Sequence, residues 1–233
     1  VPLPEINTTF WLVVIFVVIV ALVANILQLY AIKISPLSAS TPFVTFTPIF
    51  LLLFSPLILH EVPSIMGIIG VLLGVMGVYF LNISKSKEGF WEPFKVIIKE
   101  RGSLVMLLVA FMFAITTTFD KIGIKNSDPV FYLIASQLAI GILYIPLMIY
   151  KSKNYKTKIK NDWKGLLFIG LITTGALVAQ FIAVKIALVP YVISLKRIAA
   201  LFGVIYGGIM FKEEHIKERF IGALIMVAGV VLI

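Results

Sequence analysis

The segment Gln28-Leu-Tyr-Ala-Ile-Lys-Ile34 recurs as Gln180-Phe-Ile-Ala-Val-Lys-Ile186, with glutamine, alanine, lysine and the last isoleucine in the same places. The copies lie 152 positions apart (28 to 180), and this shift aligns the flanking sequence without a gap. Further identical residues aligned by this shift are Trp11 and Trp163, Ala24 and Ala176, Phe50 and Phe202, Glu61 and Glu213, Gly70 and Gly222, and Gly77 and Gly229. The chain therefore contains an internal repeat.

The composition indicates a membrane protein. Of the 233 residues, 61% are hydrophobic and only 13% are charged, far from the balance of a soluble domain. Apolar runs of membrane-crossing length alternate with short polar breaks. The predicted spans are 11–33, 36–59, 64–82, 103–119, 129–150, 163–186, 188–211 and 217–233.

The net charge of +9 is explained by membrane topology, because the basic residues cluster in loops between the spans. We therefore expect the lipid bilayer, and no nucleic acid, as a partner. The chain has no cysteine, which excludes disulfides and thiolate chemistry. It also lacks a G-x-x-x-x-G-K-[ST] phosphate loop, and we expect no cofactor.

The repeat predicts the topology of the chain. Five spans separate each residue from its counterpart, and an odd number places the two copies in opposite orientations. Inverted repeats are typical of secondary transporters, which bind substrate near the midplane between the repeats. The fourth and fifth spans have no counterpart in this sequence. We expect a leading helix pair before residue 1, and hence a parent of ten helices in two units of five.

Two adjacent charges, Lys196 and Arg197, lie inside the seventh span, about eight residues or roughly 12 Å from its start. Charges at membrane depth are costly and usually face the bundle interior or a water-filled cavity. Lys196 shares a helical face with the small residues Ala200 and Gly203, which predicts that it points towards the bundle.

The charge pair has two interpretations. All 11 acidic residues fall in predicted loops or at span ends, so the visible spans offer the pair no buried carboxylate. An anionic substrate would supply the counter-ion, with bidentate contacts from arginine and a point charge from lysine. Alternatively, the pair snorkels, or it binds backbone carbonyls or an acid in the preceding helices.

The second and third spans differ in character. The second contains four prolines with Ser and Thr between them, which predicts either a kinked packing helix or a polar cavity wall. The third contains glycines spaced for close helix packing, at positions 67, 70, 74 and 77.

Weaker candidate site residues accompany the charge pair. Gln28 and Gln180 are related by the repeat and would face each other across the pseudo-two-fold axis. Tyr191, Ser194 and Thr45 are candidate cavity groups. For each of the five, the alternative is a hydrogen bond between helices.

The repeated pattern resembles EamA-type permeases of the drug/metabolite transporter superfamily. The resemblance is carried by Gln180-x-x-Ala183-x-Lys185-Ile186, Pro190-Tyr-Val-Ile-Ser-Leu-Lys-Arg197, Phe211-Lys-Glu213 and Gly222-x-x-x-Met226-x-x-Gly229. It implies a carrier of a small metabolite in a prokaryotic plasma membrane. The Lys-Arg pair alone is similar to the pair with which plastid sugar-phosphate translocators grip phosphate.

This resemblance, with the repeat, divides the chain into three parts. Residues 1–82 would form the last three helices of the first repeat, 83–102 an interfacial connector, and 103–233 the second repeat of five helices.

The predicted function is alternating-access transport of a small molecule that bears a carboxylate or phosphate, held by Lys196 and Arg197. Alternatives are an exporter of neutral amino acids or drugs, or a lipid-linked flippase of the same fold. The sequence lacks the motifs of a membrane enzyme, since His60-Glu61 has no second histidine to complete H-E-x-x-H.

Overall fold

A computed structural model of the chain describes residues 6–35, 41–83, 101–151, 154–199, 202 and 216–232. In these ranges the chain is helical, with short turns and no β-strand. Its α-helices are α1 (Thr8–Ile34), α2 (Thr47–Leu59), α3 (Ile65–Ile83), α4 (Arg101–Lys125), α5 (Pro129–Lys151), α6 (Tyr155–Ile186), α7 (Val189–Lys196) and α8 (Ile216–Val231), and a 3₁₀ helix, Thr41–Phe46, precedes α2.

The helices have the length and surface of membrane spans. Helices α1, α4 and α5, and α6 from Ile159 onward, are long and apolar enough to cross a bilayer. Large apolar side chains are left exposed, among them Leu57 at 73% and Ile65 at 77%. Such a surface needs lipid around it, because soluble proteins rarely expose apolar patches of this extent. The protein is an all-α polytopic membrane protein, as predicted.

Four helices differ from their predicted spans. Helix α2 begins only at Thr47, after a 3₁₀ helix, whereas the predicted second span begins at 36. Helix α4 continues to Lys125, past the expected end at 119. Helix α6 begins at Tyr155 and includes the lysine-rich segment that was predicted to be a loop. Lysine is a good helix former, and the segment contains neither glycine nor proline, so the helix extends beyond its apolar part. Helix α7 ends at Lys196, well inside the predicted seventh span.

Other predictions fall on residues outside the described ranges. Most of the predicted connector, 84–100, lies outside them, and so does most of the seventh span after residue 199. The division of the chain into 1–82, 83–102 and 103–233 remains a prediction.

The chain forms two units. The first consists of Val1–Leu22 and Phe119–Ala187, and the second of Val23–Thr118 and Leu188–Ile233. In the described part of the first unit, the start of α1 runs antiparallel to the end of α4. Asn7 Nδ2 donates to Asn126 Oδ1 at 2.7 Å, and the rings of Phe16 and Phe119 lie 4.6 Å apart.

The second unit has a core of Ala31, Phe43, Met106 and Val109, contributed by α1, the 3₁₀ helix and α4. Close helix approach at one end of this core depends on a glycine. A Cβ on Gly102 of α4 would collide with the side chain of Ser35, next to α1. Small residues therefore set the spacing of these helices, as is usual in membranes.

Helices α3 and α8 cross in the second unit through glycines that the repeat relates. A Cβ added to Gly77 would meet the carbonyl oxygen of Gly222 at 2.6 Å, and one added to Gly229 would meet the carbonyl oxygen of Gly70 at 2.6 Å. The repeat aligns Gly70 with Gly222 and Gly77 with Gly229. Each helix thus offers the same two positions to the other, and the pairing order makes the helices antiparallel. This reciprocal contact is the geometry of a two-fold axis between inverted repeats.

Candidate functional site

Helix α7 places Arg197 at its C-terminus. Pro190 lies in its first turn, where the missing N–H would have no helical partner anyway. After Lys196 the helix tightens, because the N–H of Arg197 donates to Ser194 and the N–H of Ile198 donates to Leu195, each at 3.0 Å. Such three-residue bonds are typical of a last helical turn.

Arg197 donates a hydrogen bond to a backbone carbonyl that lacks its helical donor because of a proline. Pro48 has no N–H, so the carbonyl of Val44, four residues earlier, lacks its α-helical donor. Two side chains replace that donor: Arg197 Nη2 donates to Val44 O at 3.1 Å, and Thr47 Oγ1 donates to it at 2.6 Å. The proline-rich second span and the charged seventh span therefore meet at one backbone group.

Around this contact lie buried polar groups. Arg197 is partly buried, and its Nε is enclosed without a hydrogen-bond partner in the described part of the chain. The Oγ of Ser194 is enclosed in the same way, and its side chain is 3% exposed. Thr45, beside Val44, is 9% exposed. Buried polar atoms normally have partners, so Arg197 and Ser194 retain hydrogen-bonding capacity.

Tyr191 accepts a hydrogen bond from the N-terminal end of α3. The backbone N–H of Ser64 donates to Tyr191 Oη at 3.0 Å, and the N–H of Gly67 donates to Ser64 Oγ at 3.0 Å. These bonds satisfy donors at the start of α3. The Tyr191 ring also fills the space in which a Cβ on Gly67 would lie. The predicted alternative of a helix–helix hydrogen bond thus describes its present contact, and its role in substrate binding remains a prediction.

Lys196 is the last residue of α7, and its expected orientation towards the bundle remains a prediction. Its side chain is exposed, whereas Arg197 is partly buried. The expectation assumed that one regular helix continues past residue 196, which would place Lys196 on the face of Ala200 and Gly203. The tight turn at Arg197 and Ile198 interrupts that regular spacing. Arg197 Nη2 donates to Val44 O within the unit.

The two glutamines belong to different units. Gln28 lies on α1 in the second unit and Gln180 on α6 in the first, and both side chains are partly buried. The expectation that they face each other remains a prediction. The second unit holds the other predicted site residues, Thr45, Tyr191, Ser194, Lys196 and Arg197.

Two polar features of the structure were missed from the sequence. The first is the Val44 carbonyl with Thr47, although Pro48 four residues later was the available signal. The second is Asp120, which was assigned to a span end but lies inside α4, with Tyr132 Oη donating to its Oδ1 at 2.8 Å. The neighbouring Lys121 is 3% exposed and donates from Nζ to Ala187 O at 2.6 Å. Both charged side chains thus have hydrogen-bond partners in the part of α4 that extends beyond the predicted span.

Comparisons with known proteins agree with this architecture. The model of the EamA-like transporter family matches residues 2–83 and 100–233. A solved structure titled "Crystal structure of protein" superimposes with a TM-score of 0.77 over 95% of this chain and 77% of the other, at 16% sequence identity. At that identity the likeness shows the fold alone. No curated protein matches the chain in sequence.

The inverted helix crossing, the membrane-length helices and the family match define the class of protein as a multi-pass membrane transporter. The chain belongs to the EamA-like transporter family, and it is an EamA-type permease of the drug/metabolite transporter superfamily.

Proposed function

We propose that this permease carries a small metabolite bearing a carboxylate or a phosphate, by alternating access between its inverted repeats. The anionic group would bind Arg197, with Lys196 as a second positive charge. A secondary carrier of this kind would act in the plasma membrane of a prokaryotic cell.

The observation that carries the proposal is that the Arg197 guanidinium has an N–H donor without a hydrogen-bond partner among the described residues. A guanidinium has five N–H donors, and Val44 O occupies one of them. The enclosed Nε has no partner in the described part of the chain. A carboxylate or phosphate is the ligand that accepts two parallel bonds from such a group.

The surrounding residues fit the same proposal. Ser194 offers an enclosed hydroxyl on the turn before Arg197. Thr45 is the position that the repeat aligns with Arg197, and it is a buried polar residue next to Val44. Lys196 is exposed, so it would meet the substrate on arrival and add long-range attraction to an anion. Gln28 and Gln180 are proposed as further contacts in other stages of the transport cycle, whereas the Tyr191 hydroxyl keeps its bond to the Ser64 N–H.

Uptake by proteoliposomes tests the proposal. The purified chain would be reconstituted and offered labelled inorganic phosphate, glycerol 3-phosphate and small carboxylates, with a neutral amino acid and a cationic drug as comparisons. We expect uptake of at least one anion, and its loss in Arg197→Gln. Arg101→Gln is the matched control, because Arg101 is exposed at the start of α4.

Two results would contradict the proposal. One is anion uptake that Arg197→Gln leaves unchanged. The other is transport of only the neutral or cationic compounds, which would support the exporter alternative.

A further inference from the structure

Asp120 is an acidic residue on a membrane-length helix, five residues before the end of α4 at Lys125. Its side chain is partly exposed at the surface of the unit. Ionisable residues in such helices are rare, and many belong to proton or ion pathways. The anion site proposed above makes no use of this carboxylate.

Tyr132 holds the Asp120 carboxylate from α5. Tyr132 Oη donates to Oδ1 at 2.8 Å, and the tyrosine itself is 0% exposed. Its ring packs against Phe10 and Phe181 and lies where a Cβ on Gly123 would sit. Replacing that glycine would displace the ring, so the local packing fixes the hydroxyl on Asp120. One carboxylate oxygen is thus oriented by a rigid donor, and among the described residues Oδ2 is left to bind a further atom.

The charged groups around this pair can be named helix by helix. On α4 itself, Lys121 donates to the Ala187 carbonyl and Lys125 is exposed. Next to α5, Asp128 Oδ2 lies 4.0 Å from Nζ of Lys185 on α6, and both side chains are about half exposed. The segment of α1 that belongs to this unit contains no titratable side chain between Ile6 and Leu22.

These surroundings favour a proton over a metal ion as the bound species. The described residues contain no group of three or more His, Cys, Asp and Glu that could hold a metal. A single carboxylate with a neutral hydroxyl donor offers one protonation position. Oδ2 can gain or lose a proton while Tyr132 keeps its own proton and its bond to Oδ1.

We propose that Asp120, oriented by Tyr132, is a proton-binding site through which this carrier couples transport to a proton gradient. Binding forms an O–H bond at Oδ2 and converts the carboxylate to a carboxylic acid. Release to the opposite side breaks that bond and restores the carboxylate. The coupling part of the proposal rests on the proposed transport function, whereas proton binding at Asp120 does not.

Infrared difference spectroscopy tests proton binding without any substrate. The purified full chain would be titrated between about pH 5 and about pH 9, a range that includes perturbed carboxyl groups. We expect a protonated-carboxyl band that is lost in Asp120→Asn and shifted in frequency in Tyr132→Phe. Asp162→Asn is the matched control, because Asp162 is exposed in the polar start of α6. A titrating band that survives in Asp120→Asn, or no such band in the wild type, would overturn the proposal.

Proteoliposomes that contain a pH-sensitive dye test coupling. An inward gradient of inorganic phosphate should drive proton movement in the wild type, and this movement should be lost in Asp120→Asn while it persists in Asp162→Asn. Phosphate accumulation that follows a sodium gradient instead would overturn proton coupling. If the wild type moves no phosphate or other anion, the proposed substrate class fails, and the infrared titration still decides whether Asp120 binds a proton.

Discussion

Arg197 Nη2 lies 3.1 Å from the carbonyl oxygen of Val44, and the two residues come from corresponding segments of the two repeats. The repeat aligns Arg197 with Thr45, the neighbour of Val44. One repeat therefore supplies the charge, and the other supplies a backbone acceptor exposed by Pro48. The two halves of the contact have the same place in the fold but different chemistry, so the contact has a charged side and an uncharged side.

This arrangement predicts that Arg197 reduces stability in exchange for function. Replacement of Arg197 by methionine removes a partly buried charge and leaves Thr47 to bind the Val44 carbonyl. We expect the free energy of unfolding in detergent micelles to stay the same or rise by about 1 kcal/mol, because uncompensated charge is costly to bury. Anion uptake should be lost in the same variant.

Lys196→Met is the control for this prediction. Lys196 is exposed, so its replacement should leave the free energy of unfolding within about 0.5 kcal/mol of the wild type. A large loss of stability in Arg197→Met would show that the Val44 bond is a structural requirement, and it would weaken the assignment of Arg197 to substrate.

The sequence was informative where the physical cause was local or repeated. Apolar length identified the spans, and the spacing of the glycines at 67, 70, 74 and 77 predicted close packing of α3, but it did not identify α8 as the partner helix. The interruption after Lys196 could not be predicted, because helical periodicity assumes a regular helix. The partners of Asp120 and Lys121 were equally hidden, since Tyr132 and Ala187 lie on other parts of the fold.

Lys121 should contribute strongly to stability. It is 3% exposed, and its Nζ donates to the Ala187 carbonyl at the C-terminus of α6, where a positive charge also interacts well with the helix dipole. Lys121→Ala should lower the free energy of unfolding by about 2 kcal/mol, since it leaves an acceptor unpaired and a space unfilled. Lys125→Ala on the same helix is the comparison, because Lys125 is exposed. Equal effects of the two substitutions would contradict the role assigned to the Ala187 bond.

Tyr191 allows the structural and substrate-binding interpretations to be separated. Tyr191→Phe removes the acceptor of the Ser64 N–H but keeps the ring against Gly67. We expect the free energy of unfolding to fall by about 1 kcal/mol, with anion uptake retained. Tyr150→Phe, at a residue that is 85% exposed, should change neither quantity. Loss of uptake with unchanged stability would instead identify the Tyr191 hydroxyl as a substrate contact.

The crossing of α3 and α8 predicts different outcomes for glycines on one helix. A Cβ at Gly77 would collide with Met226 and with the Gly222 carbonyl, whereas a Cβ at Gly74 would meet nothing within 4 Å. Gly77→Ala should therefore lower the free energy of unfolding by about 2 kcal/mol, because the helices must separate. Gly74→Ala should raise it by about 0.5 kcal/mol through the better helix propensity of alanine. The repeat adds a second requirement: Gly229→Ala, at the position equivalent to Gly77, should be as damaging as Gly77→Ala. Denaturant unfolding of the three variants in the same micelles measures this, and a tolerated Gly229→Ala would contradict a reciprocal contact between the inverted repeats.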